Sequence, residues 1–241
     1  MKIAIVETGE PPLPLRTNSP GYATMMVDML SPLMPAATYE ARRIFAGEPP
    51  FAPTDADAFL VTGSPAGVYE DHDWIAPLFD AIRATADAGK PQVGICFGHQ
   101  AMAAAFGGRV AKSDRGWGVG VHRYEVTSIQ GWMTPQAAAF SCAVSHQDQV
   151  VEAPAGAVVI AGSAFCPNGA LAYADGPAIS FQMHPEFSHD YARDLLTLRA
   201  DRIPADRVER GLASLQGDSD RAVIARWIAS FYAAAAGRSP S

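Results

Sequence analysis

A cysteine flanked by glycines is the residue whose surroundings best suit a nucleophile. Cys96 lies in residues 94–100 (GICFGHQ), between a short apolar stretch and an alanine-rich run that predicts a helix. A strand, a sharp turn and a helix start are together typical of a nucleophile elbow, here with Cys in place of Ser. The helix N-terminus favours the thiolate over the thiol. The alternative interpretation is a buried cysteine in an ordinary strand-to-helix turn.

A histidine and a glutamate farther along the chain have the spacing of a base and its orienting acid. His184 and Glu186 are two positions apart at a predicted strand end, so their side chains point to the same side. The carboxylate can then accept the Nδ1–H of the imidazole and leave Nε2 facing a thiol. Alone, this His-Pro-Glu sequence is also typical of a surface turn. With Cys96 it predicts a nucleophile, a base and an acid.

The segments around these residues predict an α/β fold with a mixed sheet. Two helices are expected before the elbow, one over 21–33 and one that is capped by Asp73 and ends at Gly89. The predicted strands are 2–7, 38–45, 57–61, 109–111, 119–126, 138–144, 157–164, 171–173 and 178–182. The last two form a hairpin around 175–177, which delivers His184.

Two polar segments have both a structural and a functional interpretation. Residues 62–67 (TGSPAG) follow a strand at the end where open α/β sheets carry ligands, so Gly63 is a candidate backbone donor to an oxyanion. The alternative is a plain turn. Residues 145–149 (SHQDQ) indicate either an exposed turn or a loop at the edge of the pocket. Residues 71–73 (DHD) are more typical of helix capping than of a metal site.

Composition excludes several classes of protein. The 241 residues are 49% hydrophobic and carry a formal charge of −7, which argues against nucleic-acid binding. No apolar run is long enough to cross a bilayer, and the first residues are too briefly apolar for a signal peptide. Three cysteines without CxxC spacing indicate free thiols in a reducing compartment. These observations predict a cytoplasmic protein.

The elbow and His-Pro-Glu motifs together resemble those of the class I glutamine amidotransferases. Within that family, residues 94–100 and 181–186 (FQMHPE) look most similar to stand-alone relatives of the GMP synthetase amidotransferase domain. Residues 62–65 and 145–148 occupy matching places in order. The resemblance implies a flavodoxin-like open, mostly parallel mixed sheet with helices on both faces, over residues 1–190. Residues 191–241 are expected to form a helical extension that packs on this domain or on a partner.

The resemblance also implies a role for each matching residue. Cys96 would attack a γ-glutamyl carbonyl and form a thioester. His184 would activate the thiol and protonate the leaving amine, and Glu186 would orient His184. The N–H groups of Gly63 and Phe97 would form the oxyanion hole. The residues expected to hold the glutamyl group are Gln100, Ser145, His146 and Gln147.

The departures from the family pattern bear on the reaction. About fifty residues after the resemblance are too few for a synthetase domain. The chain has neither a GxxxxGK[ST] phosphate loop nor a dinucleotide fingerprint nor an HExxH zinc motif, so no cofactor or metal is expected.

Three hypotheses follow. The first is a stand-alone hydrolase of glutamine or γ-glutamyl peptides. The second is a glutaminase subunit that delivers ammonia to a separate synthetase. The third is a redox sensor or chaperone of related fold, in which a histidine typically follows the elbow cysteine; here Phe97 follows Cys96.

Overall fold

The computed structural model describes residues 1–174 and 176–237. The helices are α1 (Tyr22–Leu30), α2 (Ile75–Asp87), α3 (Phe97–Ala105), α4 (His189–Leu198), α5 (Ala205–Ser214) and α6 (Arg221–Ala236). The strands are β1 (Lys2–Glu7), β2 (Thr38–Arg43), β3 (Ala58–Val61), β4 (Gln92–Ile95), β5 (Arg109–Lys112), β6 (Gly118–Val126), β7 (Ala139–His146), β8 (Asp148–Glu152), β9 (Ala157–Gly162), β10 (Ala170–Tyr173) and β11 (Ala178–Phe181).

Nine of these strands form one mixed sheet in the order β2-β1-β3-β4-β11-β10-β9-β6-β7. The strands from β2 to β11 in this order are parallel, and the remaining pairs are antiparallel. Strands β5 and β8 form a separate antiparallel pair. The predicted hairpin is therefore β10–β11, although Asp175 of its turn lies outside the described residues.

Alternate residues of the parallel strands point to opposite faces, and helices cover each face. In β1, Ile3 and Ile5 join a core with side chains of α1 and α6. Ala4 and Val6 join a second core with side chains of α2 and α3. Strands β1, β3, β4 and β11 are buried on both sides, as the inner strands of a parallel sheet require, whereas the edge strand β2 is partly exposed. The structure thereby confirms the predicted α/β class with helices on both faces.

The last helix is part of the main core. Trp227 of α6 is fully buried, meets the ring of Phe140 edge-on at 5.4 Å, and donates its indole N–H to the carbonyl of Pro135 at 2.8 Å. The hydroxyl of Tyr232 donates to the carbonyl of Phe59 at 2.8 Å. Helices α4 and α5 cover β6 and β7 instead.

Three local predictions are wrong. Asp73 does not cap α2, because Trp74 occupies the cap position without a side-chain hydrogen bond and packs on Phe97 at 5.4 Å. Strand β2 ends at Arg43 rather than residue 45, because residues 44–46 form a 3₁₀ turn that ends at Gly47. Residues 145–149 are not a loop, since they end β7 and begin β8.

Within residues 1–174 and 176–237, the structure contains no helix that could span a lipid bilayer.

The close approach of α3 to β3 requires glycine at position 98. A Cβ on Gly98 would overlap the carbonyl of Val61, which is backbone and cannot rotate away. Overpacking of this kind lowers the free energy of unfolding by about 1–3 kcal/mol. Replacing Gly by Ala in a helix raises it by about 1 kcal/mol, so the overpacking outweighs the gain. We expect Gly98→Ala to lower the melting temperature by several degrees in a calorimetric scan.

The matched control is Gly131→Ala, because a Cβ on Gly131 meets no heavy atom within 4 Å. This variant should melt close to the wild type. Equal melting temperatures for the two variants would contradict the packing argument.

Candidate active site

Cys96 lies at the junction of β4 and α3 with a strained backbone. Its φ of 51° and ψ of −102° make it the one residue other than glycine with positive φ in the part of the chain that the model describes. The strain is held by the fold, since the Cys96 N–H donates to the Phe181 carbonyl of β11 at 2.8 Å. This geometry is that of a nucleophile elbow, which turns the thiol out of the sheet.

The two residues predicted to donate to the oxyanion, Gly63 and Phe97, both lie next to Cys96. Phe97 is the first residue of α3, so the helix offers no acceptor for its N–H. An ideal Cβ on Gly63 would lie 3.7 Å from Cys96 Cβ and 3.0 Å from His184 Cε1. One point beside Gly63 is therefore close to both catalytic candidates.

The strand end that carries Gly63 is held by hydrogen bonds. The Thr8 hydroxyl donates to the carbonyl of Thr62 at 3.0 Å, and that carbonyl also accepts the N–H of Gly98 at 3.1 Å. A second acceptor for the Thr8 hydroxyl is the carbonyl of Gly63 at 3.1 Å. Both carbonyls are thus engaged in hydrogen bonds, which fixes the peptide planes on either side of Gly63.

His184 and Glu186 form a buried pair. The imidazole Nδ1 lies 2.7 Å from Glu186 Oε1, and both side chains are almost fully inaccessible to solvent. The Phe187 ring stacks on the imidazole with centroids 4.0 Å apart and planes 5° apart. The backbone N–H of His184 donates to the carbonyl of Ala143 at 2.8 Å. These contacts fix the ring so that Nε2 faces away from Glu186.

The pKa of His184 reflects its neighbours. Burial alone would lower it, but the negative charges of Cys96 and Glu186 and the hydrogen bonds to both outweigh burial and raise it from 6.5 to about 10. The imidazole is therefore protonated at neutral pH. A protonated imidazole beside a thiol stabilises the thiolate, which is the reactive form of cysteine.

Gln182 contacts the nucleophile but had no predicted role. Its side-chain N–H₂ donates to Cys96 Sγ at 3.6 Å, and its Oε1 accepts from Gln100 Nε2 at 3.1 Å. Gln100 Nε2 also donates to the Asp148 carbonyl at 2.9 Å. A sequence signal existed, since Gln182 precedes His184 by two positions and shares its side of the chain.

The three residues 145–147, which are predicted to bind the glutamyl group, each make a different set of contacts. The Ser145 hydroxyl accepts a hydrogen bond from Arg199 Nη1 at 2.9 Å. Burial lowers the pKa of His146 to about 3, and its Nδ1 lies 3.0 Å from the Asp148 carbonyl. The His146 ring is therefore neutral, and its Nε2 is buried without a hydrogen-bond partner. For Gln147, the backbone carbonyl accepts from Ser113 N–H at 3.0 Å.

Residues 71–73, the segment with possible metal-ligand residue types, have ordinary surface contacts. His72 Nε2 lies 3.0 Å from Glu70 Oε2, and the imidazole stacks on Trp74 at 5.7 Å.

Comparison with known proteins identifies the family. A model of the class-I glutamine amidotransferase family matches residues 37–198. The chain therefore belongs to the class-I glutamine amidotransferases, as its motifs predict.

Two curated relatives illustrate the range of the family. Gamma-glutamyl peptidase 4 of Arabidopsis thaliana is 28% identical over 216 residues, which cover 83% of each chain. The glutamine-hydrolyzing GMP synthase of Burkholderia mallei is 31% identical over 173 residues. That match covers 65% of this chain but only 31% of the GMP synthase.

Solved structures share the fold at low sequence identity. A glutamine amidotransferase of Thermotoga maritima superposes with a TM-score of 0.74 at 17% identity, over 94% of this chain and 97% of that one. A glutamine amidotransferase of Methylobacillus flagellatus gives a TM-score of 0.72 at 20% identity, over 96% and 92% of the two chains. These likenesses confirm the predicted flavodoxin-like fold class.

The raised pKa of His184 gives a testable pH dependence. A raised pKa stabilises the fold fully below about pH 6.5, and this stabilisation is lost as the pH rises through about 10. Glu186→Gln removes one of the two negative charges while burial remains, so the His184 pKa should fall. The loss of stability should then still begin near pH 6.5, but it should end at a lower pH and be smaller than in the wild type. NMR titration of ¹⁵N-labelled histidines measures the pKa directly.

Glu70→Gln is the matched control, because it neutralises a carboxylate that contacts the exposed His72. It should leave the His184 titration unchanged. An unchanged His184 pKa in Glu186→Gln would refute the proposed role of the buried carboxylate.

Proposed function

We propose that this chain is a thiol hydrolase that cleaves the γ-amide bond of glutamine or of a γ-glutamyl compound. The observation that carries the proposal is the meeting of Cys96, His184 and Glu186 at the end of the sheet. The imidazole Nδ1 lies 2.7 Å from Glu186 Oε1, and a Cβ on Gly63 would lie 3.0 Å from His184 Cε1 and 3.7 Å from Cys96 Cβ. Membership of the class-I glutamine amidotransferases supports it.

In the first half-reaction, the Cys96 thiolate adds to the γ-carbonyl carbon. The carbonyl π electrons move to oxygen, and the N–H groups of Gly63 and Phe97 stabilise the resulting oxyanion. His184, which its raised pKa keeps protonated, gives its proton to the departing nitrogen. The C–N bond breaks, ammonia or an amine leaves, and the γ-glutamyl group remains as a thioester on Cys96.

In the second half-reaction, the now neutral His184 takes a proton from water while the water oxygen adds to the thioester carbon. The C–S bond then breaks and releases glutamate. The thiolate and the protonated imidazole are restored. Glu186 holds the ring in one tautomer throughout, and the Gln182 amide steadies Cys96 Sγ.

Glutamyl recognition is assigned to the side chains near the thiol. We place Gln100 at the floor of the pocket, because its amide joins the Asp148 carbonyl to Gln182 beside Cys96. We also assign Ser145 and His146 at the end of β7, and Gln147 directly after it, to glutamyl recognition.

A glutaminase subunit is the second candidate, and the similarity to a glutamine-hydrolyzing GMP synthase favours it. The two candidates differ in their dependence on a partner. A stand-alone hydrolase releases an amine from γ-glutamyl peptides without any other protein. A subunit has low activity alone and prefers glutamine.

The deciding experiment is a panel of glutamine and γ-glutamyl peptides scored for ammonia and amine release by the purified protein. Release of an amine from a γ-glutamyl peptide supports the hydrolase. Release of neither product from any compound would refute it.

Three free cysteines, all buried, support a reducing compartment, and we place the protein in the cytoplasm.

Cys96→Ser should reduce turnover by at least about a thousand-fold, because removal of a catalytic nucleophile leaves only binding and oxyanion stabilisation. Mass spectrometry after substrate mixing should detect a γ-glutamyl adduct on the wild-type protein and none on this variant.

Cys142→Ala is the matched control, since Cys142 is fully buried and burial raises the pKa of its thiol far above the ordinary range. The Cys142→Ala variant should remain active and should still form the γ-glutamyl adduct. Full activity of the Cys96→Ser protein would show that Cys96 is not the nucleophile and would contradict the thioester mechanism.

A further inference from the structure

Arg199 joins the extension after the family match to the candidate site. It follows α4 directly and lies one residue beyond the stretch that matches the family model. Its Nη1 donates to the Ser145 hydroxyl at 2.9 Å, and its guanidinium carbon lies 6.0 Å from the centre of the Trp117 ring. Two contacts thus orient a side chain that the matched family segment does not include.

Within the residues that the structure describes, the positive charge of Arg199 has no counter-ion. Among residues 1–174 and 176–237, no carboxylate lies within 4.0 Å of its guanidinium nitrogens. Arg199 is nevertheless half-buried. A guanidinium has five N–H donors in a planar fork, and the bond to Ser145 uses one of them. The remaining donors are free for an anion.

Arg199 lines a cavity of about 640 Å³ next to the oxyanion loop. The cavity is also lined by Ser64 and Pro65, which directly follow Gly63. Trp74 also lines it and packs on Phe97, the residue after the nucleophile. The cavity therefore adjoins the loop that follows Gly63 and the side chain that packs on Phe97, and its volume is typical of small-molecule sites.

The other cations of this cavity already have partners. Arg16 pairs with Glu10 at 2.8 Å. Arg202 lies 4.0 Å from Asp201, with both side chains about three-quarters exposed. Arg199 is therefore the cation of this cavity with the strongest tendency to attract an anion from solution.

We propose that Arg199 binds a carboxylate of the substrate and sets specificity for γ-glutamyl compounds. This inference rests on the proposed function. A γ-glutamyl peptide carries two candidate groups, the α-carboxylate of the glutamyl part and the carboxylate of the leaving amino acid. Both have the same chemistry, since a guanidinium fork matches either carboxylate in a two-hydrogen-bond arrangement.

The experiment compares four probes on wild type and on Arg199→Ala. Glutamine and its α-carboxamide, glutaminamide, differ only in the α-carboxylate. γ-Glutamylglycine and γ-glutamylethylamide share that group but differ in the leaving-side carboxylate. We expect the variant to raise KM by about ten-fold or more for the carboxylate-bearing member of one pair, with a much smaller change in kcat.

A selective effect within the first pair assigns Arg199 to the α-carboxylate, and one within the second pair assigns it to the leaving group. Arg199→Lys should recover part of the loss, because the charge remains while the fork is lost. Equal changes for all four probes, or no change, would overturn the proposal, since a purely structural role of Arg199 does not discriminate between probes.

Arg202→Ala is the matched control, because it removes the same charge from a second residue that lines the cavity. It should not discriminate between the probes. A discrimination equal to that of Arg199→Ala would show a general loss of positive charge and would refute the assignment.

Calorimetric titration separates this inference from the proposed function. On the Cys96→Ala background, the four probes bind without turnover. Weaker binding of one carboxylate-bearing probe after Arg199→Ala supports the inference even when the wild type cleaves none of them. If the wild type cleaves probes but this binding difference is missing, the Arg199 assignment alone is wrong.

Discussion

The backbone of Cys96 is the constraint on which the site depends. A non-glycine residue at φ 51° costs about 1–3 kcal/mol, a substantial share of the 5–15 kcal/mol that stabilises a typical domain. The surrounding fold over-determines this conformation. The N–H of Cys96 bonds to β11, its carbonyl accepts from Gln100, and Gly98 packs on β3. Three parallel strands must therefore be in register before the thiol reaches its position.

The residues at these strand ends also stabilise a buried positive charge, that of the protonated His184 imidazole. An isolated imidazolium in the interior is unfavourable, and burial would normally keep such a ring neutral. His99 illustrates this on the neighbouring helix, where burial lowers the pKa to about 3. His184 differs because Glu186 and Cys96 supply negative charge on both sides of the ring. Phe187 covers one face of the imidazole and limits the water that would screen these charges.

The sequence predicts those parts of the site that depend on local rules. The elbow at Cys96 follows from glycine spacing and helix formers, and the side shared by His184 and Glu186 follows from the two-residue period of an extended chain. A run of polar residues predicts local structure less reliably than these two rules do. Ser145 was expected in a turn or loop, but it lies in β7, where Arg199 satisfies its hydroxyl. Such a partner is far away in sequence, so no local pattern reveals it. Asp73 does not cap α2 for a related reason. The neighbouring Trp74 packs on Phe97, which is distant in sequence, and occupies the first position of the helix boundary instead.

The place of α6 has a consequence for synthesis on the ribosome. Its Trp227 packs against β7, and its Tyr232 binds the carbonyl of Phe59 in β3, so the helix covers strands made much earlier. Chains are released from the N-terminus onwards. One face of the nascent sheet therefore keeps part of its apolar surface uncovered until the α6 residues have emerged, and a chaperone that recognises exposed apolar side chains has its longest opportunity at that stage.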